Sequence, residues 1–286
     1  MEANANATVH RIHYYHADVS ALGGHLKTPI AQPIPVQAPL SLPPVGGYAS
    51  TRVGAYQLEG ILSFASAYSQ VAGSISEKDG GWTTLATVAV EGLNVHDILT
   101  ADRVVSQIAT EHPREGYEPK VTFIGTRFDN LRIGGYPLEV DLDLGLCSPG
   151  GSDRYPAKSC FDDERFLAAV AEQYRRMADE KSLAPWVKDR QIPNWVRARY
   201  TWDNSQAKRQ EKGFVLCSLV KEIRGEFPGR AYGHVLEVPE FGKAFLGELI
   251  VDHNSFRVIG IRLELGCASH GSGSVGTASI EGRTYP

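Results

Sequence analysis

The most regular pattern of apolar and polar residues lies in Leu138–Leu144, where apolar and acidic residues alternate without a break. A period of two is typical of a β-strand with one buried and one solvent-exposed face. A related alternation recurs in Gly260–Gly266, and both stretches lead into a glycine close to a cysteine. The two patterns together predict a mainly β protein of antiparallel strands.

Further strands are predicted along most of the chain. In residues 56–68 the large apolar side chains all fall on even positions, which predicts one long strand with a bulge at Gly60. The pair Asp79-Gly80 predicts a hairpin turn after it. We also expect a flexible Gly/Ser-rich hairpin loop at 266–276, and strands at 82–90, 101–110, 121–126, 129–134, 214–223, 231–238, 243–251, 256–266 and 275–282.

The hydrophobic period changes near residue 160. The acidic run Asp162–Glu164 stands where a helix N-terminus favours negative charge, and apolar residues then recur at helical spacing. This predicts an amphipathic helix over 162–181. Because residues 182–212 are irregular, the segment 148–212 is predicted to be a partly helical insertion in a β-body.

The chain thus divides into three parts. Residues 1–47 are expected to form N-terminal strands and a Pro-rich extended arm, since six prolines between residues 28 and 47 exclude a helix or a central strand there. Residues 48–147 and 213–286 form the β-body, and 148–212 the insertion. The pattern does not decide between an antiparallel sandwich and a barrel.

The composition is that of a globular protein, with 42% hydrophobic and 22% charged residues. A formal net charge of −4 argues against a nucleic-acid binder, and no run of about 18 apolar residues predicts a membrane span. The N-terminal sequence lacks the layout of a signal peptide, so the chain, if complete, is expected in the cytoplasm.

Cysteine spacing argues against a zinc ribbon or a thioredoxin-type site, because none of the four cysteines forms a CxxC pair. Cys217 lies in an apolar run and is expected to be a buried thiol. Cys147 and Cys160 flank a Gly/Pro/Ser-rich loop. They could pair in an oxidising compartment, whereas two free thiols are expected in a cytosolic protein.

Several short motifs occur in a characteristic order: Gly81–Val95 leading into Ile98–Val104, then Phe128–Pro137, then Leu236–Leu249. This order resembles the bacterial choice-of-anchor P family. The resemblance implies a β-rich, surface-associated protein without an established activity, so it carries over no functional residues. It also implies the cell surface or extracellular space as the alternative location. The chain departs from that family by lacking an obvious export signal and anchor and by adding the helical insertion.

Histidines at His10, His13 and His16 form the candidate metal site. On a strand His10 and His16 share a face but stand roughly 20 Å apart, and His13 points the other way. A polar edge strand with pH-responsive imidazoles is the simpler interpretation.

Carboxylates provide the candidate acid–base groups. Glu139, Asp141 and Asp143 form an acidic row that could do acid–base work or hold calcium, although a solvated strand face is the commoner explanation. On the related C-terminal strand, Arg262 and Glu264 could complement this row if the strands are neighbours. His253 beside Asp252 could act as an acid–base pair only if the strand has ended there.

Aromatic and basic residues alternate in the insertion at Trp195, Arg197, Arg199 and Trp202. Such a patch can bind a ligand through stacking and charge. It can equally be a cation–π cluster that fixes the insertion onto the sheet, and the overall acidity of the chain favours this structural interpretation.

Three functional hypotheses follow. The first is a non-catalytic binding or self-assembling protein, expected to be a homo-oligomer with a small-molecule, glycan or peptide ligand. The second is an enzyme whose pocket lies between the β-body and the insertion and uses carboxylate and histidine acid–base or metal chemistry. A carrier of a hydrophobic ligand is a third, if the sheet closes into a barrel. The sequence defines no cofactor.

Overall fold

The computed structural model describes residues 11–77, 80–116, 118–148, 156, 158–183, 186–187, 191–200, 213–253, 255–266 and 269–285. The strands up to residue 142 are β1 (Ile12–Tyr14), β2 (Ala17–Leu26), β3 (Gln32–Gln37), β4 (Leu40–Ser41), β5 (Gly47–Val53), β6 (Tyr56–Leu58), β7 (Leu62–Phe64), β8 (Ser66–Ile75), β9 (Trp82–Val95), β10 (Leu99–His112), β11 (Lys120–Thr122), β12 (Arg127–Asp129), β13 (Arg132–Ile133), β14 (Tyr136–Pro137) and β15 (Glu139–Leu142).

The described elements after residue 142 comprise helices in the insertion and a second group of strands. The helices are α1 (Glu164–Ala178) and α2 (Asn194–Arg199), with short 3-10 turns at Cys160–Asp162 and Glu180–Ser182. The strands are β16 (Phe214–Ser218), β17 (Val220–Arg224), β18 (Arg230–Tyr232), β19 (Val235–Val238), β20 (Gly242–Asp252), β21 (Phe256–Leu265), β22 (Gly271–Ile280) and β23 (Arg283–Tyr285).

The first large sheet is built around the long strands β9 and β10. These strands pair antiparallel from Val95 opposite Leu99 to Trp82 opposite His112. Strand β8 pairs with the other side of β9, and β5 pairs with β8, while β11, β12 and β13 pair with β10. Strands β8 and β9 pair antiparallel, which confirms the predicted hairpin, and Gly80 has a φ of +67°, a conformation that favours glycine. Asp79, the other predicted turn residue, lies outside the described residues.

The second large sheet has the strand order β18-β19-β20-β21-β22-β2-β3, with β16 beside β20 and β4 beside β2. The N-terminal strand β2 therefore lies within the sheet, between β22 and β3. The Pro-rich stretch is extended, as predicted, and supplies the edge strands β3 and β4. Proline is tolerated in β3 because an edge strand leaves one side of its backbone without a partner.

The two sheets pack face to face as a sandwich. Their facing sides supply a continuous apolar core that includes Val88, Val90, Val104, Ile108, Val258, Ile261, Val275 and Ala278. Among the described strands both sheets have open edges, so the mainly β antiparallel prediction is confirmed in its sandwich form and not as a closed barrel. The carrier hypothesis depended on a closed barrel and loses its basis.

The insertion covers the outer face of the second sheet. Helix α1 begins where the carboxylate of Asp163 accepts a hydrogen bond from the backbone N–H of Arg165 (2.8 Å), and it buries Phe166, Val170, Tyr174 and Met177. The Tyr174 hydroxyl donates to the carbonyl oxygen of Leu216 at 2.6 Å. The predicted helix is confirmed, whereas the short helix α2 lies in a stretch that was predicted to be irregular. No described helix is long and apolar enough to cross a bilayer.

The alternating segment at 138–144 is a strand, as predicted, but a short one. Strand β15 spans Glu139–Leu142 and pairs with β17 in a separate two-stranded sheet. The related segment Gly260–Gly266 belongs almost entirely to β21, a long central strand of the second large sheet. The two segments share a pattern but not a sheet.

Two local predictions are wrong. Residues 56–68 form the hairpin β6–β7 followed by β8, because Glu59 and Gly60 both have positive φ (+44° and +70°) and reverse the chain. The predicted loop at 266–276 is shorter, since β22 begins at Gly271. Strand β22 passes so close to β2 at this point that Gly24 of β2 has no room for a side chain, since a Cβ on Gly24 would lie 2.3 Å from the carbonyl oxygen of Ser272.

Candidate functional site

The acidic row predicted at residues 139–143 does not converge on one point. The carboxylate of Glu139 is exposed and forms an ion pair with Arg224 of the neighbouring strand at 3.3 Å. Asp141 lies opposite Glu222 in the register, and Asp143 lies beyond the strand, where its carboxylate accepts the N–H of Gly145 (3.2 Å). Arg262 and Glu264 are not neighbours of this row.

Glu264 instead belongs to an ion-pair network on the outer face of the second sheet. The centre of this network is the carboxylate of Glu248, which is only 2% exposed. The Arg262 guanidinium donates to both oxygens of Glu248 and also to Glu264 at 2.6 Å. Arg199 from α2 reaches the same two carboxylates, at 3.4 Å from Glu248 and 3.7 Å from Glu264.

Aromatic rings complete this network and attach the insertion. The guanidinium of Arg262 lies 3.5 Å from the ring centroid of Phe245, and that of Arg199 lies 4.9 Å from the same centroid. The ring of Trp195 contacts Tyr232 edge-on and lies beneath the ammonium of Lys243 (4.8 Å). These contacts fit the structural interpretation of the aromatic–basic patch, a cation–π cluster that holds α2 on the sheet.

The other two members of that patch contribute less to this contact. Arg197 is exposed and forms an ion pair with Glu180 of the insertion at 3.4 Å. Trp202 lies outside the described residues.

The predicted histidine group is split by the strand geometry. His10 lies outside the described residues, and His16 is exposed between the carboxylates of Asp18 (3.2 Å) and Glu281 (3.5 Å). His13 is buried, and its Nδ1 is 2.9 Å from the hydroxyl of Thr284. Among the described residues, no group of three or more His, Cys, Asp or Glu side chains could hold a metal ion.

His13 has a different imidazole partner, which the sequence analysis did not single out. The ring centroids of His13 and His112 are 4.5 Å apart, and Trp82 stacks on His13 at 5.2 Å. Burial lowers the pKa of His13 to about 4, and burial together with the neighbouring His13 lowers the pKa of His112 to about 3. Both rings are therefore neutral near pH 7.

His112 also lines a cavity that we call the junction cavity. Its volume is about 650 Å³, and it lies between the insertion and one end of the sandwich. The insertion lines it with residues 158–165. The β-body lines it with the end of β10, residues 118–119 just before β11, the end of β20 and the C-terminal strand β23. Its polar lining residues are Thr110, His112, Glu118, Ser148, Lys158, Ser159, Asp162, Asp163, Glu164, Arg165, Asp252, His253, Arg283, Thr284 and Tyr285.

One carboxylate in this lining, Asp162, affects the pKa of another, Glu118. Burial raises the pKa of Glu118, and the negative charge of Asp162 raises it further. In the described part of the chain, the Glu118 carboxylate has no hydrogen-bond or ion-pair partner. Asp162 accepts a hydrogen bond from the hydroxyl of Ser159 at 3.2 Å.

His253 reaches the junction cavity because strand β20 ends at Asp252. The Asp252 carboxylate accepts the N–H of Ser255 (3.1 Å) in the turn that follows, so residues 252 and 253 both line the cavity. The His253 ring packs against Phe161 of the insertion, with centroids 5.3 Å apart. An acid–base pair of Asp252 and His253 required the strand to have ended there, and β20 does end at Asp252.

Two thiols also line the junction cavity. Cys147, Cys160 and Cys217 are free cysteines, so the Cys147–Cys160 pairing considered above is not formed. A hydrogen bond with the Cys160 side chain and complete burial raise the pKa of Cys147 well above the ordinary thiol value. Cys147 is therefore a protonated, poorly nucleophilic thiol at neutral pH.

The fold and this site define a two-sheet β-sandwich protein with a helical insertion that lines one side of a polar cavity. The chain belongs to the family described as domain of unknown function DUF8256, whose model matches residues 13–252. Comparisons with curated proteins and with solved structures found no match. The resemblance to the choice-of-anchor P family is not tested by these comparisons and stays a prediction.

Proposed function

We propose that this protein binds a small molecule in the junction cavity. The single observation that carries the proposal is a cavity of about 650 Å³ whose wall is shared by the sandwich and the insertion. Its volume falls within the range of about 300–1,000 Å³ that is usual for small-molecule sites. A rigid sheet framework with a loop-rich cover is also a frequent arrangement for binding sites.

The lining supports recognition of a polar ligand. Phe161 and Phe256 supply apolar surface, while the imidazoles of His112 and His253 and the carboxylate of Glu118 supply hydrogen-bonding groups. Phe161 comes from the insertion, whereas the other four side chains come from the β-body. A ligand would therefore contact the β-body and the insertion together.

The test compares the wild type with two serine variants in the insertion. Ser159 lines the cavity, so Ser159→Trp fills it, whereas Ser182 is exposed and lies away from it, so Ser182→Trp is the matched control. A panel of cationic, neutral and anionic metabolites is screened by thermal shift, and hits are measured by titration calorimetry. We expect at least one compound to bind the wild type and Ser182→Trp but not Ser159→Trp. No hit, or hits unaffected by Ser159→Trp, would overturn the proposal.

A catalytic use of the same cavity is the second candidate. The observation that favours it is the raised pKa of Glu118 beside Asp162, because acid–base catalysts are commonly carboxyl groups with a raised pKa. Incubating a bound compound with substoichiometric protein and analysing it by mass spectrometry distinguishes the two candidates. Product that forms over many turnovers supports an enzyme, and an unchanged compound supports a binding protein.

Homo-oligomerisation is a separate proposal. The edge strands β3 and β5 carry exposed apolar side chains, including Val36 and Tyr48, and exposed edges can pair with a second chain. Light scattering after size-exclusion chromatography tests it, and a monomer at high concentration contradicts it.

A further inference from the structure

The charge distribution in the junction cavity indicates what kind of ligand it accepts. Glu118 is half-buried, lines the cavity and has no partner among the described side chains. Asp162 lines the same cavity from the first turn of the insertion. Burial and the charge of Asp162 both raise the pKa of Glu118, and no Lys or Arg side chain among the described residues forms an ion pair with Glu118.

A third polar group on the wall also lacks a partner. His112 is only 5% exposed and lines the cavity, and in the described part of the chain its imidazole has no hydrogen-bond partner. Because burial and the adjacent His13 keep the ring neutral near pH 7, one of its nitrogens is available as an acceptor. A ligand or water in the cavity can satisfy this nitrogen, whereas Nε2 of the neighbouring His13 is fully buried without a partner among the described residues.

Basic side chains of the lining do not neutralise this wall. Lys158 and Arg165 are exposed, and Arg283 forms an ion pair with Glu281 at 2.8 Å. A bound metal ion is not favoured either, because the described residues contain no group of three or more suitable ligands. The group that would complement this wall is therefore an organic cation that donates hydrogen bonds.

We propose that the ligand of the junction cavity is a small organic cation whose ammonium or guanidinium group binds between Glu118 and Asp162 and also donates to His112. This inference rests on the proposed binding function and specifies its ligand class. Charge-assisted hydrogen bonds to a partly buried carboxylate are strong and directional, so they suit such a group. Phe161 and Phe256 in the same lining suit the methylene groups of an alkyl amine.

The experiment measures the binding of matched compounds by titration calorimetry. The cationic probes are putrescine and agmatine, and butanediol is the uncharged counterpart of putrescine. Glu118→Gln removes the carboxylate with little change in shape, and Glu111→Gln is the control, because Glu111 is exposed on the same strand as His112 and does not line the cavity.

We expect at least one cationic probe to bind and butanediol not to bind. Glu118→Gln should weaken the cation roughly ten- to hundredfold, the effect of losing a hydrogen bond to a charged group, while Glu111→Gln should leave it unchanged. Because Glu118 is partly desolvated and unpaired, Glu118→Gln should keep the wild-type melting temperature, which excludes unfolding as the cause.

Two results would overturn this inference and leave the binding function intact. One is that neutral or anionic compounds bind in a way that Ser159→Trp abolishes, while cations do not. The other is that cations bind with the same affinity to the wild type and to Glu118→Gln. If no compound of any class binds, the proposed function itself fails.

Discussion

His13 and His112 lie with their ring centroids 4.5 Å apart although they are almost a hundred residues apart in sequence. Their rings meet where the first strand, β1, pairs with the last, β23, and where β10 ends. A Cβ on Gly282 would lie 3.0 Å from the Nε2 atom of His112, so the C-terminal segment also closes over both rings. The pair thus links both ends of the described chain to the junction cavity.

This pair predicts a loss of stability in mild acid. The pKa values of His13 (about 4) and His112 (about 3) lie below the ordinary value of 6.5, so the folded protein binds fewer protons than the unfolded chain. Their contribution is complete above pH 6.5 and is lost as the pH falls from 6.5 toward 3. We expect the free energy of unfolding in urea to fall by roughly 3–5 kcal/mol between pH 7 and pH 4.5, the upper value being the full linkage effect of both imidazoles.

The variant His112→Gln should show a smaller decrease over the same pH range, because one of the two buried imidazoles is removed. His25→Asn is the matched control, since His25 is exposed on β2, and its pH dependence should follow that of the wild type. An unfolding free energy of His112→Gln that falls as steeply as the wild type's would show that other groups cause the acid effect.

The approach of the two sheets gives a second prediction. A Cβ on Gly260 of β21 would lie 2.8 Å from both Ser106 Oγ and Val104 Cγ1 of the facing strand β10. Gly260→Ala must therefore push the sheets apart or distort a strand, and we expect a loss of about 1–3 kcal/mol in the free energy of unfolding. Denaturant titration measures this loss.

Gly273→Ala is the control for this substitution. Gly273 is also a buried glycine in the second sheet, yet its nearest contacts for a Cβ are at 3.5 and 3.7 Å, which is ordinary packing distance. Gly273→Ala should be neutral or stabilise the protein slightly, because alanine restricts the unfolded chain. Equal losses for both variants would contradict the close approach at Gly260.

Local patterns predicted much of the sandwich, and the failures have physical reasons. Helix α1 was predictable because its cap at Asp163 and its apolar spacing lie within one short segment. The hairpin at 56–64 was mistaken for one strand because Tyr56 pairs with Phe64 and Leu58 with Leu62. Even positions therefore share a face on both strands, and the alternation continues through the turn.

The candidate site was harder to predict than the fold. His112 and Glu118 carry no local signal, since His112 ends an ordinary strand and Glu118 stands in a short connection. Their role depends on the insertion and the C-terminal strand arriving at the same place, which is a property of the topology. Two sequence-based hypotheses came close to the site. One placed a pocket between the β-body and the insertion, and the other named His253 as an acid–base candidate if the strand ended there.

The Glu248 network gives the last prediction. Glu248 is almost fully buried and holds Arg262, whose side chain is only 20% exposed, together with Arg199 from α2. Glu248→Gln leaves two guanidinium groups short of negative charge in a desolvated place, so we expect a loss of roughly 2–4 kcal/mol in the free energy of unfolding, measured by denaturant titration. Glu222→Gln breaks an exposed pair with Arg224 and should cost far less, because solvent screens the charges of an exposed pair.

A double substitution separates the burial of charge from the packing of the insertion. Replacing Glu248 and Arg262 together by methionine removes both buried charges while keeping apolar contact with Phe245, so stability should return toward the wild type. Arg199 would then lose its partner at Glu248 but keep Glu264, 3.7 Å away. If the double variant is less stable than Glu248→Gln alone, the network acts mainly as a specific clamp on α2, and the desolvation argument is wrong.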